Sequence, residues 1–346
     1  MTAIMNDTRL RWHLHSTCPP DWALHIERSR AGLFHSPAGL AASTEQGEPF
    51  FAKLVEGNEV VGIAAGVHRR CRMPPLPKHA HLPSPPVVVC DAGIPASAML
   101  DSLVACAERE GWADLNVASM EAHGAVPIGG RGTPLQARHE YDLPLAGSFG
   151  DLARRLTSHH RRRLPPDGEW TLKTLSGAEA RAMVAEVTTS ARRRASSLRR
   201  GFDDVTLPPA HAFREDPAWG LTTYAAMRGD APLAAALVGW AGKRAYYVSG
   251  GSTPDGYARN ASVWLHLQVA AAFQSAGFTH YCLGGAPASA VDPNDPSHGL
   301  HRFKTGFGAV VRTCTGARWV FSNEHEAGHR LTRWIRDQLA SEKETA

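Results

Sequence analysis

The stretch Gly-Leu-His-Arg-Phe-Lys-Thr-Gly-Phe-Gly, residues 299–308, places Lys304 among three glycines and two phenylalanines. A lysine in that company can be a catalytic cation, a clamp on a ligand, or a solvated charge in a glycine loop. As a catalyst, a fixed ammonium beside a developing oxyanion would lower the barrier to acyl transfer. Phe303 and Phe307 would then hold its alkyl stem, and Gly306 and Gly308 would let backbone approach a ligand. No Ser-His-Asp or Cys-His constellation is evident elsewhere. Arg244 and Tyr247, beside an apolar run in the second half, are further candidates for substrate binding.

Positive charge is mild overall, at +4, but unevenly spread. Arg154, Arg155, His159, His160, Arg161, Arg162 and Arg163 crowd ten positions, and Arg192, Arg193, Arg194, Arg199 and Arg200 form a second group. Few carboxylates interleave, so the clusters suit an anionic partner, for which local charge matters more than the total. The alternative is a solvated helix face. Arg161, Arg162 and Arg163 lead as phosphate contacts, followed by Arg193 and Arg194. Six cysteines show no CxxC pair, and the histidines of 13–15, 79–81 and 159–160 lack an HExxH spacing. They read as small buried thiols and surface imidazoles, with no metal site.

The elements that must position these residues come in two copies. Residues 50–67 read as strand, Gly57-Asn58 turn, strand; residues 222–239 repeat this with Gly229-Asp230, 172 positions later. Such dipeptides between apolar runs favour tight hairpins. Downstream, 98–119 and 262–285 each read as an apolar-faced helix, a glycine stop (Gly111, Gly277) and a strand, with Ser262 as a candidate cap. Two elements repeated in the same order indicate a duplicated α/β unit. Between the copies, Ser148 caps a helix expected to run to about 162, a strand follows at 169–175, and a further helix begins near Ser176. The proline-rich 71–87 reads as a loop or extended lid, and 323–339 as an amphipathic C-terminal helix.

A chain of 346 residues with 43% hydrophobic and 20% charged content is globular and large enough for two domains. The expected division is a first lobe, 1–145, completed by a C-terminal helix at 323–342, and a second lobe, 146–322, carrying Lys304. The first twenty residues hold no apolar h-region, and the run 231–242 is too short to span a bilayer. A cytoplasmic protein is expected.

The order hairpin, YYVSGGS (246–252), capped helix, FTHYCLGGAP (278–287), polar loop and GL..FK..FG resembles the FemABX branch of the GNAT-like superfamily, strongly over 225–310 and more weakly over the first 140 residues, where FHSPAGL (34–40) is the hook. The resemblance implies an α/β fold of two tandem GNAT-like lobes, each a mixed, mostly antiparallel sheet flanked by helices. It also implies that Lys304 stabilises the transition state. Cys282 stands where that family often has Asp before the glycine pair, and the long helical arm of cell-wall members is absent.

The group's chemistry is transfer of an aminoacyl group from tRNA to an amine. The donor is an activated ester and an α-amine has a pKa of ~8, so positioning and a fixed cation suffice without a strong base. A CoA-dependent GNAT would show a Q/R-x-x-G-x-G/A loop before its helix; TPDGYARNAS (253–262) lacks that spacing, and the arginine clusters suit a tRNA acceptor stem. The leading expectation is therefore an aminoacyl-tRNA-dependent aminoacyltransferase that forms an amide on a small or peptide-like acceptor, with no cofactor. Alternatives are a peptidoglycan-precursor aminoacyltransferase, an acyl-CoA N-acyltransferase, and a non-catalytic RNA- or ligand-binding relic.

Overall fold

A computed structural model describes residues 10–43, 47–69, 78–89, 93–121, 124–166, 168–197, 207–213 and 216–321, with the side chains of 194–197 excepted. The expected C-terminal helix, Arg199 and Arg200 lie outside the described residues. The strands are β1 (Leu10–His15), β2 (Glu48–Glu56), β3 (Glu59–Arg69), β4 (His79–Leu82), β5 (Val87–Val88), β6 (Asp114–Val117), β7 (Thr133–Pro134), β8 (Arg138–Pro144), β9 (Thr171–Leu175), β10 (Trp219–Arg228), β11 (Ala231–Ala241), β12 (Arg244–Ser252), β13 (His280–Pro287), β14 (Val310–Cys314) and β15 (Ala317–Val320). The helices are α1 (Trp22–Glu27), α2 (Pro37–Ala42), α3 (Ala96–Arg109), α4 (Phe149–Arg155), α5 (Ser158–Arg161), α6 (Gly177–Ser197), α7 (Pro254–Arg259), α8 (Ala261–Ser275) and α9 (His298–Thr305).

Two sheets result, ordered β1-β2-β3-β4-β6-β15-β7 and β9-β10-β11-β12-β13-β8-β14, with β5 paired to β3. They match position for position. In each, a hairpin (β2–β3, β10–β11) is followed by an antiparallel strand (β4, β12), a helix (α3, α8) and a strand parallel to the last (β6, β13). The hairpin glycines Gly57 and Gly229 sit at φ of 61° and 58°, the left-handed region that glycine enters without strain. The next position in each sheet is filled by exchange: β15, from beyond the second unit, pairs with β6, while β8, from before it, pairs with β13. The two sheets are therefore tied together at both ends.

Local chemistry explains three departures from the sequence reading. The helix from Ser148 stops at Arg155, because Leu156 is extended and Thr157 recaps the chain into α5. Residues 79–82, expected as loop, are strand β4, with Ala80 and Leu82 buried against the hairpin and Pro83 ending it. Asn260, left-handed at φ 58°, precedes α8, while the Ser262 hydroxyl bonds Ser252 Oγ at 2.7 Å and ties the helix to β12.

Candidate functional site

β12 and β13 pair in parallel over three residues only, Arg244–Tyr246 with His280–Cys282, and then diverge. β12 follows β11 to Ser252 after a register shift at Leu237/Val238, and β13 follows β8. Into the gap comes Lys304, from a helix rather than a glycine loop: it lies on α9, 3% exposed, and its ammonium donates to the Gly285 carbonyl at 2.7 Å. Gly284, at φ 73°, makes the room; a Cβ there would lie 2.9 Å from the Tyr247 carbonyl oxygen and 3.5 Å from Lys304 Nζ. The Tyr141 ring lies beneath the ammonium, its centroid 5.3 Å away. Burial pulls the Lys304 pKa down to about 8, against the pull of Cys282 and Glu140.

A carboxylate from the neighbouring strand meets the Cys282 thiol. Glu140, on β8 and 2% exposed, accepts from the Cys282 thiol at 3.0 Å and from the Tyr246 hydroxyl at 3.3 Å, and pairs with Arg138 at 2.9 Å. The buried carboxylate is thus satisfied by three donors.

Neighbours of Lys304 line a cavity of about 790 Å³: Tyr247, His266 and Phe303 line it together with His159, Arg163 and Arg302, while Lys304 itself is not in the lining. His266 is buried, with its Nδ1 2.8 Å from the Tyr281 hydroxyl; burial, then the charge of Lys304, holds its pKa at about 3, so the ring is neutral. His160, expected at the surface, is buried and donates from Nε2 to the Phe303 carbonyl at 2.9 Å. Gly306 admits it: a Cβ there would lie 2.4 Å from His160 Nε2. The break after α4 thus brings a histidine onto the back of α9. His159 is held below its usual pKa by Arg163 first, and also by Arg302 and Arg162, a sign of concentrated positive charge.

The sequence candidates separate. Tyr247 and Phe303 line the cavity, and Lys304 neighbours them. Phe307, 1% exposed, is core rather than surface, packed edge-on to Phe303 and His160. Arg244 is elsewhere, in a cavity between the lobes. Of the basic run, Arg161 donates to the carbonyls of Arg154 and Leu156, and Arg162 to that of Ser158, so both finish local helix ends. Arg163 bonds Asn260 and faces the cavity. Arg193 lines a separate hollow with Thr253 and Tyr257, and the side chain of Arg194 lies outside the described residues. Glu140 and His266 were missed, and His160 was placed at the surface: Glu140 lies in a strand of mixed character and His266 in a largely apolar helix, with no spacing to mark either, while His160 is hidden in a basic run. Among the described residues no group of three His, Cys, Asp or Glu side chains is placed to hold a metal.

The turn between β12 and α8 uses its own amides. Gly256 N donates to Thr253 Oγ1, Tyr257 N to the Thr253 carbonyl, Asn260 N to that of Tyr257 and Val263 N to that of Asn260. Residues 153–304 match the family model described as Acetyltransferase (GNAT) domain. This segment of the second half is similar to GNAT acetyltransferase domains. Among solved structures, the crystal structure of FemX superposes with a TM-score of 0.65 over 88% of this chain and 96% of its own, at 13% identity. A conserved protein of unknown function from Bacteroides thetaiotaomicron VPI-5482 gives 0.52 over 89% and 99%, at 10% identity. The chain therefore has the fold of FemX, with Lys304 at the end of the region matched by the GNAT-domain model. No curated protein matches its sequence. Among the described residues no helix is long and apolar enough to cross a membrane.

Proposed function

We propose that this GNAT-fold acyltransferase moves an aminoacyl group from tRNA to the amine of a small or peptide-like acceptor, forming an amide. The observation that carries the reading is the buried Lys304 ammonium at the parting of β12 and β13, beside a cavity with cationic groups in its lining. An ester carbonyl entering that gap would replace the Gly285 oxygen as the partner of Lys304. As the acceptor nitrogen attacks, the carbonyl oxygen gains charge, and the fixed cation stabilises it. Collapse breaks the ester C–O bond; the ribose oxygen leaves as a hydroxyl with the proton that the attacking nitrogen gives up, directly or through water, and the product is a neutral amide. A neutral amine needs no strong base.

Two features favour a tRNA donor over acyl-CoA. The amides of Gly256 and Tyr257 in α7, and of Asn260 and Val263 at the start of α8, already have partners within the chain, whereas a pyrophosphate site depends on amides aimed outward. The cavity lining also combines Arg163 and Arg302 with the partly exposed ring of Tyr257, a mixture suited to phosphates and bases of a single-stranded 3′ end. Use of charged tRNA would place the reaction in the cytoplasm.

The test is reconstitution with tRNA, a synthetase, amino acid, ATP and a panel of amines, with and without ribonuclease, beside an acyl-CoA arm. Amide product that vanishes with ribonuclease is expected. Product that survives ribonuclease and requires acyl-CoA would overturn the reading.

A further inference from the structure

Arg244 opens β12 at the end of the β12–β13 pair opposite Lys304, and its guanidinium faces a different cavity. This one, of about 760 Å³, lies between the lobes; Glu27 and Arg30 come from the first, and Lys243, Arg244, His280 and Arg312 from the second. The Arg244 side chain is 15% exposed, yet it makes no hydrogen bond among the described residues. Its nearest carboxylate oxygen, Asp142 Oδ2, is 3.9 Å away and already holds Arg312 at 2.8 Å. A guanidinium carries five N–H donors, and withdrawing them from water without partners is unfavourable.

The surrounding charge does not cancel. Arg30 and Lys243 form no ion pair among the described residues, and the Lys243 ammonium rests over the Phe278 ring with the centroid 5.6 Å away. On the acidic side stand Glu27, Asp142, which is shared with Arg312, Arg244 and His280, and Glu121, whose pKa burial raises to about 7 despite Arg244. His280 is kept below its ordinary value by burial, with Arg244 and Arg312 adding to the effect. Of the side chains that line the cavity, Arg30, Lys243, Arg244 and Arg312 thus face a single acid, Glu27, with Asp142 and Glu121 adjoining.

We propose that this cavity between the lobes is a binding site for the oxyanion of a small molecule, a carboxylate or phosphate, gripped by Arg244 with Arg30 and Lys243 as flanking charges. A planar fork of donors matches either group bidentately, and ligand oxygens would satisfy the Arg244 donors. The site draws on both lobes, so its occupant would brace them against each other. It does not depend on which donor the acyltransferase uses.

Calorimetric titration of the full chain at low salt, with inorganic phosphate, pyrophosphate and succinate as separate probes, tests this. Saturable binding of at least one probe is expected. It should weaken about tenfold or more in Arg244→Gln, by a smaller factor in Lys243→Gln, and progressively with added NaCl. Preference for the phosphates points to a phosphorylated ligand, and preference for succinate to a carboxylate. Melting curves accompany each variant; should Arg244→Gln fail to fold, the exposed Lys243→Gln decides. Absence of binding to the unaltered chain at millimolar probe, or equal binding by the folded variants, overturns the proposal.

Discussion

The Lys304 ammonium lies 2.7 Å from the Gly285 carbonyl oxygen at the point where β12 and β13 separate. An ammonium has three donors, and this carbonyl occupies one. A buried cation with so little compensation is a liability in a core: the folded pKa of about 8, against an ordinary 10.5, corresponds to roughly 3 kcal/mol at neutral pH. A function that needs the charge accounts for keeping it.

Lys304→Met keeps the stem and removes the charge. Turnover should fall on the order of 10²-fold or more, the loss typical of one oxyanion contact. The variant should melt at the same temperature as the unaltered protein, or higher. Steady-state kinetics paired with thermal melts checks both, and unchanged turnover would remove Lys304 from the mechanism.

The pH dependence follows from the same shift. The cation is present below about 8 and lost above it, so the alkaline limb of kcat/KM should fall near 8, while the acidic limb reports an acceptor amine with a pKa of ~8. Glu140 pulls the Lys304 pKa upward; Glu140→Gln should therefore move the alkaline limb to lower pH and leave the acidic one in place. Stability runs the other way. Because the folded pKa is below the unfolded one, the unfolded chain binds more protons between the two values, and the Lys304 contribution to stability rises with pH across that window. Lys304→Met should flatten that part of the profile.

The hairpins and the duplication were legible because Gly57 and Gly229 mark turns that few other residues can make, and helical periodicity then repeats behind each. The exchange of β8 and β15 left no such trace, since pairing between strands far apart in the chain has no period to read. Arg244 and Tyr247 looked like neighbours at three residues' spacing. On a strand that separation turns side chains to opposite faces, and the two line different cavities. Lys304 stood out by its glycine and aromatic company, yet its helix did not, because Gly299 and Gly306 are poor helix formers; at Gly306 the His160 ring leaves no room for a Cβ. Glu140 carried no signal, being one acid in a strand of mixed character.

Gly306 tests that packing. Its backbone is right-handed, at φ −59°, so alanine meets no backbone strain there. The added Cβ would meet the His160 ring and break its bond to Phe303. Gly306→Ala should cost about 1–3 kcal/mol and lower activity by loosening α9. Gly57→Ala would be destabilising through φ alone, since nothing lies within 4 Å of its Cβ position, and should leave kcat unchanged. Melts and kinetics on the pair separate clash at the site from turn strain far from it.

The arginine run divides by what each guanidinium touches. Arg163 and Arg302 line the cavity, whereas Arg161 is turned onto the carbonyls of Arg154 and Leu156. If the cavity receives a polyanionic donor, Arg163→Gln and Arg302→Gln should each raise the donor KM several-fold, and each should reduce the slope of log affinity against log salt by about 1. Arg161→Gln should leave donor affinity and salt slope alone and cost ~0.5–1.5 kcal/mol of stability through the lost helix-end bonds. Filter binding of aminoacyl-tRNA across a NaCl series, with melts alongside, reads all three. Equal losses at Arg161 and Arg163 would show that bulk charge rather than the cavity wall governs donor binding.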